Sequence, residues 1–161
     1  MKPTLTVLTT SYEHCSHSLM TDILQSTDTI FSAIGGEPAI NHIVEAFYRR
    51  METLPEARTI RAMHPPDLTS LKAVLSLYLG EWLGGPGHYS RQRGHPRLRM
   101  RHMNFRIGEA ERDAWILCMA GALEEVVGDA ALREHLLQKF FNLADWVRND
   151  PACPHDAPQN R

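Results

Sequence analysis

The residues best suited to chemistry are concentrated between Gly84 and Trp115. This segment contains three evenly spaced histidines and a run of arginines. Imidazole nitrogens bind metal ions, and guanidinium groups bind carboxylates and phosphates. The histidines are His88, His95 and His102, and the arginines are Arg91, Arg93, Arg97, Arg99, Arg101 and Arg106. Three kinds of site are compatible with this composition: a zinc site, a nucleic-acid surface and a haem pocket.

Zinc is disfavoured by the spacing of the histidines. They lie seven residues apart, whereas histidine pairs that bind zinc are separated by about three to five residues. Pro86, Gly94 and Pro96 interrupt any continuous helix that could bring all three onto one face. No cysteine or acidic residue stands at metal-binding spacing, so the segment does not predict a zinc centre.

Nucleic-acid binding is suggested by the arginines, together with Tyr89 and Phe105, whose rings could stack on bases. The charge of the whole chain argues against it. The formal net charge is −2, and acidic residues follow closely in the next stretch, from Glu109 to Glu125. A local basic patch on an acidic chain is weak evidence for a polyanionic partner, so we expect no nucleic acid.

A haem pocket needs a histidine beside an apolar face and cations for the propionates. His102 and Leu98 are four residues apart, which puts them on one face of a helix. The stretch from Pro96 to His102 also alternates polar and apolar residues, as a strand does. No second strand is available to pair with it, so we interpret it as helix. Spacing alone leaves His102 as either a packed core histidine or a ligand.

Four main helices are predicted by apolar residues at steps of three and four. The first begins near Pro38 after a Gly35-Gly36 hinge, the second ends at Gly84-Gly85-Pro86, the third begins after Gly108, and a Gly128-Asp129 turn precedes the fourth. Their stripes are Ile40, Val44, Phe47, Tyr48 and Met51; Leu68, Leu71, Leu75, Tyr78, Leu79 and Trp82; Trp115, Cys118, Met119, Ala122, Leu123 and Val126; and Leu132, Leu136, Leu137, Phe140, Phe141, Ala144 and Val147.

The 161 residues are predicted to form one domain over 29–149. A partly disordered extension over 1–28 and a flexible, proline-rich tail over 150–161 flank it. No apolar run approaches the roughly 20 residues that span a membrane, and the amino terminus is a poor signal peptide. The odd number of widely spaced cysteines predicts no disulfide framework. We therefore expect a cytoplasmic protein.

Several longer motifs resemble one family, the truncated haemoglobins, and within it group II. The resemblance covers about residues 28–148, and its most specific parts are the string from Gly94 to His102 and the later string from Glu111 to Trp115. Further matching segments are Phe47-Tyr48, Thr53 to Glu56, Ile60 to Pro65, Gly84 to Pro86, Tyr89, Phe105 and Cys118-Met119.

The resemblance implies an all-helical, two-over-two sandwich around one haem b. It implies that His102 is the proximal iron ligand. On the opposite, distal face it implies Tyr48, His64 and Trp115 as hydrogen-bonding residues, with Leu71 and Leu75 leaning over the ligand. The implied cofactor contacts are Tyr78, Leu79, Trp82, Tyr89, Leu98, Arg101, His102, Phe105 and Met119. Among them, Arg101 and Tyr89 are implied to bind the propionates.

The implied function is binding of oxygen, nitric oxide, carbon monoxide or peroxide at the iron. Three distal donors would make oxygen leave slowly, which suits redox or detoxification chemistry, such as nitric oxide dioxygenase or peroxidase activity, better than transport. A reductase is then an expected partner of a monomer or homodimer. The alternatives are a ligand sensor or store without turnover and, remotely, an arginine-rich nucleic-acid-binding module.

This sequence departs from the group's usual pattern at three places. The extension before residue 29 is longer than is usual. Leu71 is large where a small or polar residue is common, which predicts hindered ligand entry on that side. His64 occupies a corner where tyrosine is frequent, so the hydrogen bonds around the ligand are expected to differ.

Overall fold

Between residues 29 and 150, which are the residues described here, the computed structural model contains eight α-helices, one 3-10 turn and no strand. The predicted extension over 1–28, and the predicted tail apart from Asp150, lie outside these residues. The elements are α1 (Ile30–Ala33), α2 (Gly36–Thr53), the 3-10 turn (Pro55–Ala57), α3 (Arg58–Ala62), α4 (Thr69–Trp82), α5 (His88–Arg93), α6 (Leu98–His102), α7 (Glu109–Val126) and α8 (Ala130–Val147).

The four predicted main helices are confirmed as α2, α4, α7 and α8. One boundary differs, because α2 begins at Gly36 rather than near Pro38. Gly35 precedes it with φ +105°, a left-handed conformation that glycine adopts without a Cβ penalty. Pro38 is the third residue of the helix, in the first turn, where its missing N–H is not needed for an intrahelical bond.

The carboxyl end of α4 is closed by a pair of backbone hydrogen bonds. The amide of Gly85 donates to the carbonyl of Gly80 at 2.8 Å, and the amide of Gly84 donates to that of Glu81 at 3.0 Å. This is the Schellman arrangement, which needs a left-handed residue, and Gly84 supplies it with φ +94°. Because Pro86 follows and cannot continue a helix, the predicted stop is confirmed.

The main helices form two layers, as a two-over-two sandwich requires. α2 packs against α4 on one side and against α7 on the other, and α7 packs against α8. None of the described helices is both long and apolar enough to cross a bilayer. The most completely buried side chains come from all four helices: Ile40, Ile43, Val44, Phe47, Met51, Leu79, Cys118, Met119, Leu123, Leu136 and Phe140.

Charged side chains join the start of α7 to the end of α8. The Asp145 carboxylate accepts hydrogen bonds from Arg112 at 2.6 Å and from Arg148 at 2.7 Å. The Arg112 guanidinium also lies over the ring of Phe141, 4.8 Å from its centroid. These contacts hold the first turn of α7 against the last turn of α8.

The ambiguous stretch before His102 is helical, so the helix interpretation is confirmed over Leu98–His102. Arg97 immediately before it has φ +45°, a left-handed conformation that bulky residues rarely adopt. The turn is therefore sharp, and it starts a helix too short for periodicity to reveal. α3 and α5 are equally short, and the sequence pattern did not predict them.

Candidate functional site

α4 has apolar side chains that the remainder of the described chain covers only in part. The helix packs against α2 and α5 but makes at most sparse backbone contact with α7 and α8. Leu79 is its one buried side chain, whereas Leu71, Leu75, Tyr78 and Trp82 are half-buried at the margin of the core. Exposed apolar surface is unfavourable in water, so this cradle suits a flat, hydrophobic group lying between α4 and the second layer.

His102 ends α6 with one ring nitrogen already committed. Its Nδ1 lies 2.7 Å from the carbonyl oxygen of Leu98. A carbonyl only accepts hydrogen bonds, so Nδ1 carries the proton and Nε2 keeps its lone pair. Metal-binding histidines are commonly held in this way by a partner on the other nitrogen. The half-buried imidazole is thus prepared to bind a metal through Nε2.

Asn149 holds the segment that follows His102. Its Nδ2 donates to the His102 carbonyl at 2.9 Å, and its Oδ1 accepts from the Ile107 amide at 3.0 Å. The Asn149 amide in turn donates to the Ile107 carbonyl at 3.1 Å. The residues just after α8 therefore set the position of α6. No sequence pattern indicated this role, because the partners are more than 40 residues apart in the chain.

Phe47 brings two predicted distal side chains together. Its ring lies 5.0 Å from the ring of Tyr48 and 5.2 Å from that of Trp115, centroid to centroid. The ring of His64 meets Tyr48 edge-on at 5.9 Å. α2, α7 and the turn after α3 thus contribute one cluster, and edge-to-face packing of this kind stabilises such arrangements.

Phe140 continues the aromatic contacts towards α4. Its ring lies 5.9 Å from Trp115 and 5.2 Å from Trp82. Trp82 stacks on Tyr78 at 6.3 Å, and Tyr78 meets Tyr89 edge-on at 5.6 Å. The predicted cofactor contacts Tyr78, Trp82 and Tyr89 are therefore neighbours. Phe140 joins them to the distal cluster, whereas the sequence pattern marked it only as core.

Two hydrogen-bond donors in the cluster have no partner among residues 29–150. The Tyr48 side chain is only 4% exposed, yet neither its hydroxyl nor the Trp115 Nε1 is paired with a protein atom there. Neither atom is sealed inside the core. Burial raises the pKa of Tyr48 to about 12, so the hydroxyl keeps its proton at physiological pH. Both groups are free to donate to a small ligand.

His64 is held by the same device as His102. Its Nδ1 lies 2.7 Å from the Ile60 carbonyl, so its proton resides there. Burial lowers the pKa of His64, and the nearby charges of Arg61 and His102 lower it further. The hydrogen bond to the Ile60 carbonyl raises the pKa, but the net shift is downward. The neutral ring then presents a lone pair at Nε2. The expectation that His64 donates a hydrogen bond to the ligand does not fit this neutral form.

Arg61 fixes the corner on which His64 stands. Its guanidinium donates to the carbonyls of Pro65 at 3.0 Å and Pro66 at 3.1 Å. It also forms an ion pair with Glu52 at 3.5 Å. These contacts hold the turn between α3 and α4 against the end of α2, and with it the His64 ring.

The remaining predicted cofactor contacts differ in burial. Leu79 and Met119 are completely buried and belong to the core, and Tyr89 is buried beside Tyr78. Leu98 is half-buried at the start of α6. Arg101 is exposed, and its Nε donates to the Pro96 carbonyl at 2.8 Å. Phe105 lies in the turn after α6 and is 37% exposed.

The Cys118 thiol is not a reactive group. Its side chain is fully buried in α7, and burial raises the pKa of the thiol to about 11. Only a thiolate is a strong nucleophile or metal ligand, so this cysteine serves packing.

A two-over-two helical sandwich that combines a histidine prepared to bind a metal, a partly covered apolar helix and two unpartnered hydrogen-bond donors has the features of a globin-type haem protein. Comparison with known proteins gives the same class. Residues 29–149 match the model of the family described as bacterial-like globin. The Group 2 truncated hemoglobin YjbI of Bacillus subtilis (strain 168) is 36% identical over 116 residues, which cover 72% of this chain and 85% of that protein.

Solved structures agree in fold as well as sequence. The group II 2-on-2 hemoglobin of Agrobacterium tumefaciens has 42% identity and a TM-score of 0.74, covering 78% of this chain and 97% of its own. The cold-adapted truncated hemoglobin of Pseudoalteromonas haloplanktis TAC125 has 38% identity and a TM-score of 0.74, and the match covers 76% of this chain and 99% of that protein's chain.

The chain belongs to the bacterial-like globin family, as a group II truncated haemoglobin. The sequence resemblance and the predicted fold are thereby confirmed. Membership makes this a haem protein that binds small gaseous ligands. The residues described above fit such a group, because His102 offers Nε2 and α4 offers an incompletely covered apolar surface.

Proposed function

We propose that this protein holds haem b through His102 and retains oxygen through Trp115 and Tyr48, for redox chemistry with nitric oxide or peroxide rather than for transport. The observation that supports this most directly is the pair of unpartnered donors inside the aromatic cluster. Both atoms can be reached from outside the core, so both are available to donate to a ligand bound beside the cluster.

The chain's own residues have distinct tasks in this proposal. The Leu98 carbonyl orients His102 and fixes its tautomer. Leu71, Leu75, Tyr78 and Trp82 enclose the cofactor and exclude water. The exposed Arg101 and the buried Tyr89 donate hydrogen bonds to the propionates, and such bonds to carboxylates are strong when the donor is charged. The bound haem supplies the iron that takes up the gas and changes oxidation state.

Retention of oxygen follows from the strength of the donors. A hydrogen bond to a group that carries charge contributes roughly 1.5–3 kcal/mol, which corresponds to about a tenfold to 150-fold change in a rate constant. Trp115 Nε1–H and the Tyr48 hydroxyl can both donate. Slow release makes a poor carrier, whereas a retained ligand remains available to react.

The oxygen dissociation rate tests this proposal. In Trp115→Phe the oxygen dissociation rate should rise by at least tenfold, because the indole N–H donor is lost while an aromatic ring remains at this position. Trp146→Phe is the matched control, since Trp146 is an exposed indole on α8, and its dissociation rate should equal that of the unaltered protein. Equal rates in both variants would remove Trp115 from the distal role.

Turnover separates a redox protein from a ligand sensor or store. Nitric oxide and oxygen combine to give nitrate when one electron is supplied, so sustained consumption requires an electron donor. Catalytic loss of nitric oxide with nitrate formation, in the presence of excess reductant, is expected. A single stoichiometric reaction followed by no further consumption would instead indicate a store or sensor.

A further inference from the structure

The stretch from His88 to Arg106, here called the basic segment, has an extreme charge composition. It contains six arginines, no lysine and no acidic residue. The whole chain has 17 Lys and Arg against 19 Asp and Glu, which leaves 11 basic and 19 acidic residues for the rest. One continuous segment of an acidic molecule is therefore strongly positive, and such an asymmetry attracts partners of opposite charge.

Half of this charge is not neutralised by an ion pair within the described chain. Arg91, Arg93 and Arg97 are exposed, and no carboxylate of residues 29–150 lies within ion-pair distance of them, although the charge of Arg91 acts on Glu81. Arg106 has a partner, since its Nε lies 3.0 Å from Asp150, and the proposed function assigns Arg101 to a propionate. Three arginines thus present their charge to solvent, where it acts over a distance of about 10 Å at moderate ionic strength.

The basic segment also exposes large apolar side chains. Met100 is 61% exposed and Met103 is 70% exposed. Arg99 donates a hydrogen bond to the Trp146 carbonyl at 2.8 Å, and its guanidinium lies 5.9 Å from the centroid of the Trp146 ring. Trp146 is 49% exposed. Arginine, methionine and aromatic residues are enriched in protein–protein interfaces, while lysine is depleted. Methionine is common in surfaces that adapt to a partner.

We propose that the basic segment, with Met100 and Met103 at its centre, is the docking surface for an acidic one-electron carrier protein. This inference rests on the proposed function, which needs an electron for each turnover. The reduced carrier would lose one electron and the ferric iron would gain it, with no bond made or broken. Met103 follows His102 directly in the chain. Docking here would therefore bring the electron carrier close to the face of the cofactor that His102 binds.

The same features favour a protein over a nucleic acid. Polyanions are bound chiefly through phosphate contacts to basic side chains, and exposed methionines would gain little from them. The rest of the molecule is acidic and would repel a long polyanion beyond the patch. Electron-transfer complexes are small and short-lived, and they use opposite charges mainly to speed association.

Binding of a carrier tests the docking surface without any turnover. Oxidised flavodoxin, an acidic flavin protein, would be titrated into the haem-loaded full-length protein, and the dissociation constant measured by calorimetry at low and high ionic strength. Arg93→Glu should weaken binding about tenfold at low ionic strength, and the effect should vanish when salt screens the charges. Arg58→Glu makes the same charge change at an exposed position of α3 and should bind normally.

The apolar part of the surface has its own pair of variants. Met100→Gln should weaken flavodoxin binding at both ionic strengths, because burial of apolar area is not screened by salt. Leu117→Gln, at an exposed position of α7, should leave it unchanged. With reduced flavodoxin, the second-order rate of haem reduction should fall in Arg93→Glu as affinity falls, whereas reduction by photoreduced deazariboflavin, a small neutral donor, should not change.

Three outcomes would overturn the docking surface. These are equal binding by Arg93→Glu and Arg58→Glu, equally tight binding of a basic carrier such as cytochrome c, and displacement of flavodoxin by a DNA oligonucleotide at lower concentration than by a second acidic protein. Each is read from binding alone. The proposed function fails separately, through the oxygen dissociation rate of Trp115→Phe.

Discussion

At the scale of single residues, His64 and His102 are held alike but are suited to different tasks. Each ring donates Nδ1–H to the carbonyl four residues earlier, Ile60 for His64 and Leu98 for His102, at 2.7 Å. Each therefore offers a lone pair at Nε2. For His102 this is what an iron ligand needs, whereas for His64 it removes the donor that the residue type suggested.

The state of His64 predicts a pH dependence of oxygen release. Burial holds the pKa of His64 below its usual value of 6.5, so the ring is neutral at pH 7 and above. As the pH falls through that lowered pKa, Nε2 gains a proton and becomes a donor. Oxygen dissociation measured by stopped flow should therefore be constant from pH 9 to 7 and slow down below pH 6.5, in the unaltered protein but not in His64→Phe. Persistence of the pH effect in His64→Phe would assign it to another group.

The sequence allowed the roles at this scale to be anticipated only through family resemblance. Residue types and spacing identified His102 as a possible ligand but by themselves favoured a packed core histidine. The side-chain bond that fixes its tautomer depends on helix geometry at Leu98, which the alternating pattern from Pro96 obscured. The tautomer of His64 likewise depends on a helix, α3, that is too short for periodicity to predict.

At the scale of elements, periodicity predicted the long helices but not α3, α5 and α6; α6 was predicted only because no second strand was available to pair with it. α2, α4, α7 and α8 each bury a stripe of apolar residues, and such stripes have a period that can be recognised. α3, α5 and α6 contain five or six residues each and owe their stability to contacts with distant segments. Those contacts, such as Asn149 with α6, have no local signature in the sequence.

Asn149 is predicted to position His102. Asn149→Ala removes two side-chain hydrogen bonds, and at about 1 kcal/mol each the free energy of unfolding should fall by about 2 kcal/mol. The iron–histidine stretching band in the resonance Raman spectrum should shift and broaden as well, because α6 is less firmly held. Asn149→Asp keeps the acceptor for Ile107 but loses the donor to His102, and should change the band with a smaller loss of stability. Asn142→Ala on exposed α8 is the control, and a band unchanged in both Asn149 variants would leave Asn149 with a purely structural role.

The closing turn of α4 predicts a steric cost for one glycine. A Cβ at Gly85 would lie 2.7 Å from the Gly80 carbonyl oxygen and 2.8 Å from the ring of Phe31. The carbonyl is backbone and cannot move aside without breaking the Schellman bonds. Gly85→Ala should therefore lower the free energy of unfolding by about 2 kcal/mol, measured by urea denaturation. Gly128→Ala, where no atom lies within 4 Å of the added Cβ, should cost little; equal effects would mean that the turn adapts.

At the scale of the whole molecule, the site is assembled from side chains that are far apart in the chain. Tyr48, Trp115, Phe140 and Trp82 lie on four different helices, and they are joined in one run of ring contacts in which Phe47 lies between Tyr48 and Trp115. The apolar pattern could show that each faces inward, but not which rings would meet. The cradle is similarly a property of packing, because it exists where α4 separates from α7 and α8.

The separation of α4 from α7 and α8 predicts that the cofactor stabilises some helices more than others. Haem that covers Leu71, Leu75, Tyr78 and Trp82 removes apolar area from water on α4, whereas the inner face of α7 is already buried. At a free concentration 1,000 times its dissociation constant, haem should add about 4 kcal/mol to the free energy of unfolding. Amide hydrogen exchange, followed by mass spectrometry before and after haem addition, should slow most in α4 and α6 and least in the centre of α7. In His102→Ala the protection of α6 should be lost while that of α4 is largely kept, since burial of the porphyrin does not require the iron bond. Slowing of equal size in α4 and α7 would show that the cofactor acts only by shifting global unfolding, and that α4 is not the open side of the fold.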